Sequence, residues 1–166
     1  MERQNFKMSS IKVKDNLITG TYSKGDGFNY SFTGDKNKIP HPDLFKIVEA
    51  FDAAMAFFLM TKPKKVKTSG IKIKEKQTDQ GIVTMFSISG TMQVYNDKMV
   101  GLSIPQYNLE DEQDTVHCTL KPTSEDEEAE LIDLDDAIER LETELFLYIK
   151  GEKEAQGNLF NKKETE

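Results

Sequence analysis

The segment His41–Met60, HPDLFKIVEAFDAAMAFFLM, decides how the rest of the chain is read. Leu44, Ile47, Val48, Phe51, Met55 and Phe58 recur at the three- and four-residue steps that line one face of an α-helix. Pro42 suits the first helical position, where its missing N–H leaves no bond unmade, and Asp43 complements the positive end of the helix dipole. His41, just ahead, reads as a cap. Beyond Asp52 the apolar residues wrap around the helix, so that end is expected to be buried on more than one side, with Pro63 as the stop.

A helix this apolar needs a sheet to cover, and both flanks supply strands. Upstream, Ile11 and Val13 alternate with lysines, Asp15-Asn16 forms a turn pair, and LITGTY follows. Gly25 and Gly27 offer positive φ in a second turn before FNYSF, which alternates aromatic and polar residues as a half-buried strand does. Downstream, KPKKVKTSG reads as a basic linker. A second meander then begins at IKIKEK, turns at Thr78–Gly81, and continues through GIVTMFSISGTMQVY, with a bend near Gly90. Asn96-Asp97 turns the chain into KMVGLSI, Pro105 ends that strand, and TVHCTL is the last one.

A second helix is signalled from Asp133 by Leu134, Ile138, Leu141, Leu145 and Tyr148, with an earlier start offered by a capping box of Ser124 and Glu127. Lys150-Gly151 suits its end. The fold class expected is α+β: two antiparallel β-meanders, each followed by one helix, packed as a two-layer domain over residues 1–150, with a charged tail over 151–166.

At 166 residues and 37% hydrophobic content the chain can build one substantial core. Its longest apolar run, AAMAFFLM, is far short of the roughly 20 residues of a membrane span, and MERQNFKMSS carries no leader-like apolar run, so a cytoplasmic protein is expected. The net charge of −7 hides a split: residues 1–80 hold 15 Lys and Arg against 9 Asp and Glu, whereas the remainder hold 7 against 20. Such a split suits a basic face for polyanions and an acidic face that repels them.

No catalytic residue is assigned. The phosphate-loop, dinucleotide, nucleophile-elbow and HExxH patterns are absent. His117 and Cys118 are adjacent on a strand and so point to opposite faces, which prevents a dyad. The acidic run Glu110–Asp114 lacks the calcium-loop pattern with its central glycine, and neither a metal nor a cofactor is expected. Lys62, Lys64, Lys65, Lys67, Lys72, Lys74 and Lys76 are dense enough to meet several phosphates, and the last three share one strand face. The run contains no arginine for base reading and no interleaved aromatic for stacking, so weak, salt-sensitive contact without sequence preference is expected of it. Lysines on an exposed strand also guard a sheet edge.

HPDL at a helix start, then GIVTMFSISGTM with KMVGLSIP, then LETELFLYIKGEKEAQGNLF, resemble in that order small uncharacterised proteins of bacteriophages and prophages, over roughly residues 11–160. The resemblance implies action inside an infected bacterium and brings no assigned activity. In the tail, Gln156-Gly157-Asn158-Leu159-Phe160 resembles the short QLSLF or QLDLF peptide by which bacterial proteins dock on the sliding clamp. Gln156, Leu159 and Phe160 occupy matching places, whereas Gly157 stands where the peptide has an anchoring Leu. A clasp of Leu159 and Phe160 folded back on the domain is the alternative. The function expected is therefore a non-enzymatic phage protein that binds a host or phage protein in replication, recombination or host takeover, including anti-defence. The alternative is an auxiliary DNA-binding protein using the Lys62–Lys76 run.

Overall fold

In the computed structural model, which describes residues 2–122 and 126–153, the first alternating segment forms β1 (Lys7–Lys14) and β2 (Leu17–Ser23). Asp15 and Asn16 between them both have positive φ, 52° and 65°, the twist that a two-residue hairpin turn requires. Gly25 and Gly27 also take positive φ and lead into β3 (Asn29–Phe32). The second meander comprises β4 (Val66–Thr78), β5 (Gly81–Gln93) and β6 (Met99–Ser103), and a short β7 (Tyr107–Asn108) pairs with Met85 and Phe86 of β5.

The two meanders merge into one antiparallel sheet. β1 pairs with β4, placing Ile11 opposite Ile71, and the order is β3-β2-β1-β4-β5-β6. The expected linker at residues 62–70 is thus half strand. Pro63–Lys65 makes one 3-10 turn, and from Val66 onward buried Val66 and Thr68 alternate with exposed Lys67. The density of lysines concealed that period of two.

The opening helical stretch is α1 (Pro42–Ala50) followed by α2 (Asp52–Phe58), interrupted at Phe51. Its end lies ahead of Pro63. Met60 turns into the left-handed region (φ 55°), and the Thr61 N–H reaches back to the Ala56 carbonyl at 2.9 Å, a Schellman-type closure. Ala54, Met55 and Ala56 are buried in succession, and Phe58 and Leu59 pack against the core, so this end is covered over more than one side as expected, while Phe57 at 50% and Met60 at 94% exposure face out.

Two further corrections concern the second helix. β8 (His117–Leu120) leaves the main sheet and pairs with an unexpected strand, β9 (Glu130–Asp133), whose exposed Leu131 and buried Ile132 show strand alternation. α4 (Leu134–Ile149) starts only after it, with the Asp133 carboxylate accepting from the Asp136 N–H at 2.8 Å. Ser124 lies outside the described residues, and the extended Glu130–Asp133 segment excludes a continuous helix from that point. The acidic loop contains a single helical turn, α3 (Leu109–Glu112), capped by Asn108.

Helices α1, α2 and α4 and the β8–β9 hairpin cover one face of the sheet. Ile11, Ile71, Phe86 and Ile88 from the sheet meet Leu44, Val48, Phe51 and Met55, and all five residues of the expected α4 stripe are buried.

Both long hairpins carry a β-bulge. The register slips between Met8 and Ser10 against β2, and between Thr68 and Gly70 against β5, so Ser9 and Ser69 are the extra residues. Gly90 stands directly across from Thr68 in one bulge, and Gly20, across from Ile11, lies next to the other. A Cβ on Gly20 would lie 2.2 Å from the Ser10 carbonyl oxygen, and one on Gly90 2.1 Å from that of Lys67. A helix carboxylate takes the amide beside each bulge: Glu142 accepts from the Met8 N–H at 2.9 Å, and Asp52 from the Thr68 N–H at 2.8 Å. Burial pushes both carboxyls above their ordinary values, against the pull of those same bonds.

Candidate polyanion-binding face

On β4, Lys72, Lys74 and Lys76 alternate with Ile71 and Ile73 and are all exposed, on the sheet face that the helices leave open. Lys67 has the parity of Ile71 and in a regular strand would point into the core. The extra Ser69 resets the alternation and brings Lys67 out to join the other three.

The pairing of β1 with β4 adds two more cations. Ser10 stands opposite Lys72 and Lys12 opposite Gly70, so Lys12 and Lys14 lie on the same open face and are exposed. Hydroxyls are the cross-strand partners of Lys12, Lys67 and Lys72, whereas Lys74 faces Met85, Lys76 faces Val83 and Lys14 faces Leu17. Ser87 faces Lys72, Thr91 faces Lys67, and Ser10 lies hydroxyl to hydroxyl with Thr21 at 2.9 Å. Ser31 and Ser103 continue the pattern toward the two edges. None of these residues is buried.

The face also lacks negative charge. Among the described residues, the seven strands of the main sheet contain one carboxylate, Glu75. It alternates to the helix side of β4 and pairs with Lys7 at 3.0 Å. Lys12, Lys14, Lys67, Lys72, Lys74 and Lys76 have no acidic partner among the described residues. Lys62, Lys64 and Lys65 are exposed on the turn that feeds β4, at one end of the face rather than on it. Lys65 there shares a hollow of about 500 Å³ with Gln93, Val94, Tyr95 and Asn96.

The helical layer has the opposite sign. α4 presents Asp135, Asp136, Glu139, Glu142 and Glu144 against a single Arg140, which pairs with Glu130 at 3.0 Å. The Asp135 carboxyl is pushed up by burial and by the charges of Asp133, Asp136 and Glu139. Lys153 bridges Asp43 of α1 and Glu144 of α4 at 2.8 and 2.9 Å, which holds the Asp43 carboxyl below its usual range. The chain thus reaches its last described residue on the helical side. Gln156, Leu159 and Phe160 lie outside the described residues.

His41 Nδ1 accepts from the Asp43 N–H at 3.1 Å and so caps α1 as expected. His117 is exposed and Cys118 buried, on opposite faces of β8, and burial, helped by the charge of Asp133, pushes the Cys118 thiol up to about 12. Glu110, Asp111 and Glu112 occupy the one-turn α3, and no three His, Cys, Asp or Glu among the described residues are placed to share a metal ion.

The sequence reading missed Lys12 and Lys14, although a signal for them exists. Ile11-Lys12-Val13-Lys14 and Ile71-Lys72-Ile73-Lys74 have the same alternation, and adjacent pairing of such strands puts their lysines on one face. No protein-family model, curated protein or solved structure matches the chain.

Proposed function

We propose that this is a binding protein of nucleic-acid metabolism that holds a phosphate backbone on its open sheet face. The observation that carries the reading is the face itself: six exposed lysines, three of them directly across from a serine or threonine, without a carboxylate. Lysines two apart on a strand repeat at about 6.8 Å, so one row meets a polyanion at several points. Serine and threonine hydroxyls add hydrogen bonds to phosphate oxygens. The acidic α4 on the opposite side makes the molecule a dipole, which turns the lysine face toward an approaching polyanion. With no arginine on the face, binding is to backbone rather than base sequence. With the phage resemblance, which implies action inside an infected bacterium, we read this activity as serving replication, recombination or host takeover.

A second reading concerns the tail, and it is favoured by the bridge from Lys153 to Asp43 and Glu144. That bridge anchors the start of the tail on the helical side, away from the lysines. A sliding clamp docked through Gln156, Leu159 and Phe160 therefore leaves the sheet face free for nucleic acid.

One titration series tests both readings. Fluorescence anisotropy with duplex DNA should show log K falling with log salt at a slope of about −5 if all six lysines reach phosphates. Reversal of charge at Lys67, Lys72 and Lys74 should weaken binding more than tenfold (about 1.4 kcal/mol) and flatten the slope, and no response to reversal would sink the first reading. Deletion of residues 154–166 should leave DNA binding intact and abolish retention of purified bacterial sliding clamp. Undiminished retention, or none by the full chain, would refute the second.

A further inference from the structure

We infer that the nucleic acid held by this face has unpaired bases, and that Tyr95 stacks on one of them. The inference rests on the phosphate-backbone reading and specifies its ligand.

Tyr95 is 90% exposed. A tyrosine this open adds little to the core, and its ring offers a free π-face on either side. Its place in the sheet is particular. Ser87, Ser89 and Thr91 of β5 lie on the open face, and Gln93 and Tyr95 are the next two positions in that alternation. The turn Tyr95–Asp97, with Asn96 at φ 57°, reverses the chain at this point, and the Val94 N–H bonds to the Lys98 carbonyl at 2.7 Å. The ring therefore stands at the rim of the lysine face, where the face runs off the start of β4. Lys65 lines the same hollow, and Lys62 and Lys64 are exposed on the adjoining turn. The hollow's volume, about 500 Å³, is ample for a nucleobase.

These pieces form one track. A backbone following β4 from Lys76 past Lys74, Lys72 and Lys67 continues to Lys65 and meets Tyr95 there. In a duplex the bases at that point are stacked inside and present only edges. A single strand can turn a base onto the ring while its phosphates stay on the lysines, the combination by which sequence-tolerant single-strand binders work. The lysine run itself contains no aromatic residue; fold topology brings one to it from the β5–β6 turn.

The test uses the full chain and two probes at low salt: a fluorescein-labelled oligothymidylate of about 16 nucleotides and a duplex of the same length. The wild-type protein should prefer the single strand. Tyr95→Ala should weaken oligothymidylate binding by about 5- to 150-fold and leave the duplex unchanged. Tyr95→Phe should bind the oligothymidylate like wild type, because stacking needs the ring and not the hydroxyl. Circular dichroism should report unaltered folding, since the side chain is almost wholly exposed. If Tyr95→Ala binds the single strand as wild type does, while Lys72→Glu with Lys74→Glu loses both probes, stacking is refuted and the phosphate face stands. If wild type binds neither probe, the face and the inference fall together.

Discussion

The β1–β2 and β4–β5 hairpins each carry an extra serine, a glycine on the partner strand pressed against a carbonyl beside it, and a helix carboxylate on a neighbouring amide. In β4–β5 the carboxylate is Asp52, 16 residues before Thr68. In β1–β2 it is Glu142, 134 residues after Met8. The bonds are alike, but the chain lengths they close differ about eightfold, which adds about 2 kcal/mol of loop-closure entropy to the longer contact if it forms alone. The Asp52–Thr68 bond can join α2 to β4 early. The Glu142–Met8 bond has to wait for a core that already holds the two ends of the chain together. Local similarity thus conceals a difference in how each half is stabilised: one largely by its own sequence, the other by closure of the whole domain.

Substitution at the glycines should have the largest effect. Gly90→Ala puts a methyl group against the Lys67 carbonyl, and Gly20→Ala one against that of Ser10, and neither backbone atom can rotate away. Each should destabilise by about 2–3 kcal/mol in denaturant titrations. Little change for one and not the other would show that only one bulge is fixed by its glycine. Gly90→Ala also threatens the bulge that turns Lys67 outward, so it should weaken DNA binding beyond any loss of folded protein.

Removal of the carboxylates comes next. Asp52→Ala and Glu142→Ala each leave a shielded amide without its partner, at about 1–3 kcal/mol. Folding kinetics should separate them: Asp52→Ala slows folding, whereas Glu142→Ala mainly speeds unfolding. Equal partitioning of the two would erase the distinction between early and late closure.

The smallest effect is on pH dependence. Both carboxyls are raised by burial, so the folded state binds their protons more readily than the unfolded chain does. This contribution is complete below the ordinary carboxylate values, 3.8 for Asp and 4.5 for Glu, and is lost as pH rises through the raised ones. Asp43, held low by Lys153, acts in the opposite sense and loses its contribution as pH falls. Asp52→Asn and Glu142→Gln should therefore flatten the decline in thermal stability above the ordinary values, and Asp43→Asn the decline below 3.8. An unchanged slope in the double variant would show that neither carboxyl is coupled to folding.

Much of this architecture is legible locally. The helix beginning at His41, the Asp15-Asn16 hairpin and the α4 stripe all follow from residue type and period. The failures are of two kinds. Dense lysines hid the start of β4, because charge masks an alternation that only Val66 and Thr68 reveal. Acidic residues likewise hid β9, where one helical capping signal outweighed the strand alternation of Leu131 and Ile132. The candidate face was legible only in part. Lys72, Lys74 and Lys76 share a face by strand geometry alone, but Lys67 needs the bulge, Lys12 and Lys14 need the β1–β4 pairing, and Tyr95 needs the β5–β6 turn. Contacts between distant segments leave no periodic trace in the sequence.

Cys118 is the only cysteine in the chain, and it is buried with its thiol raised to about 12. At neutral pH it is therefore almost entirely unionised and shielded from maleimides and iodoacetamides. A thiol introduced at an exposed position becomes the sole reactive one without prior removal of the native cysteine. Single-site spin labels or fluorophores along the open sheet can then report which strands a bound polymer crosses, and in what direction, in a protein whose interior is left as it folded.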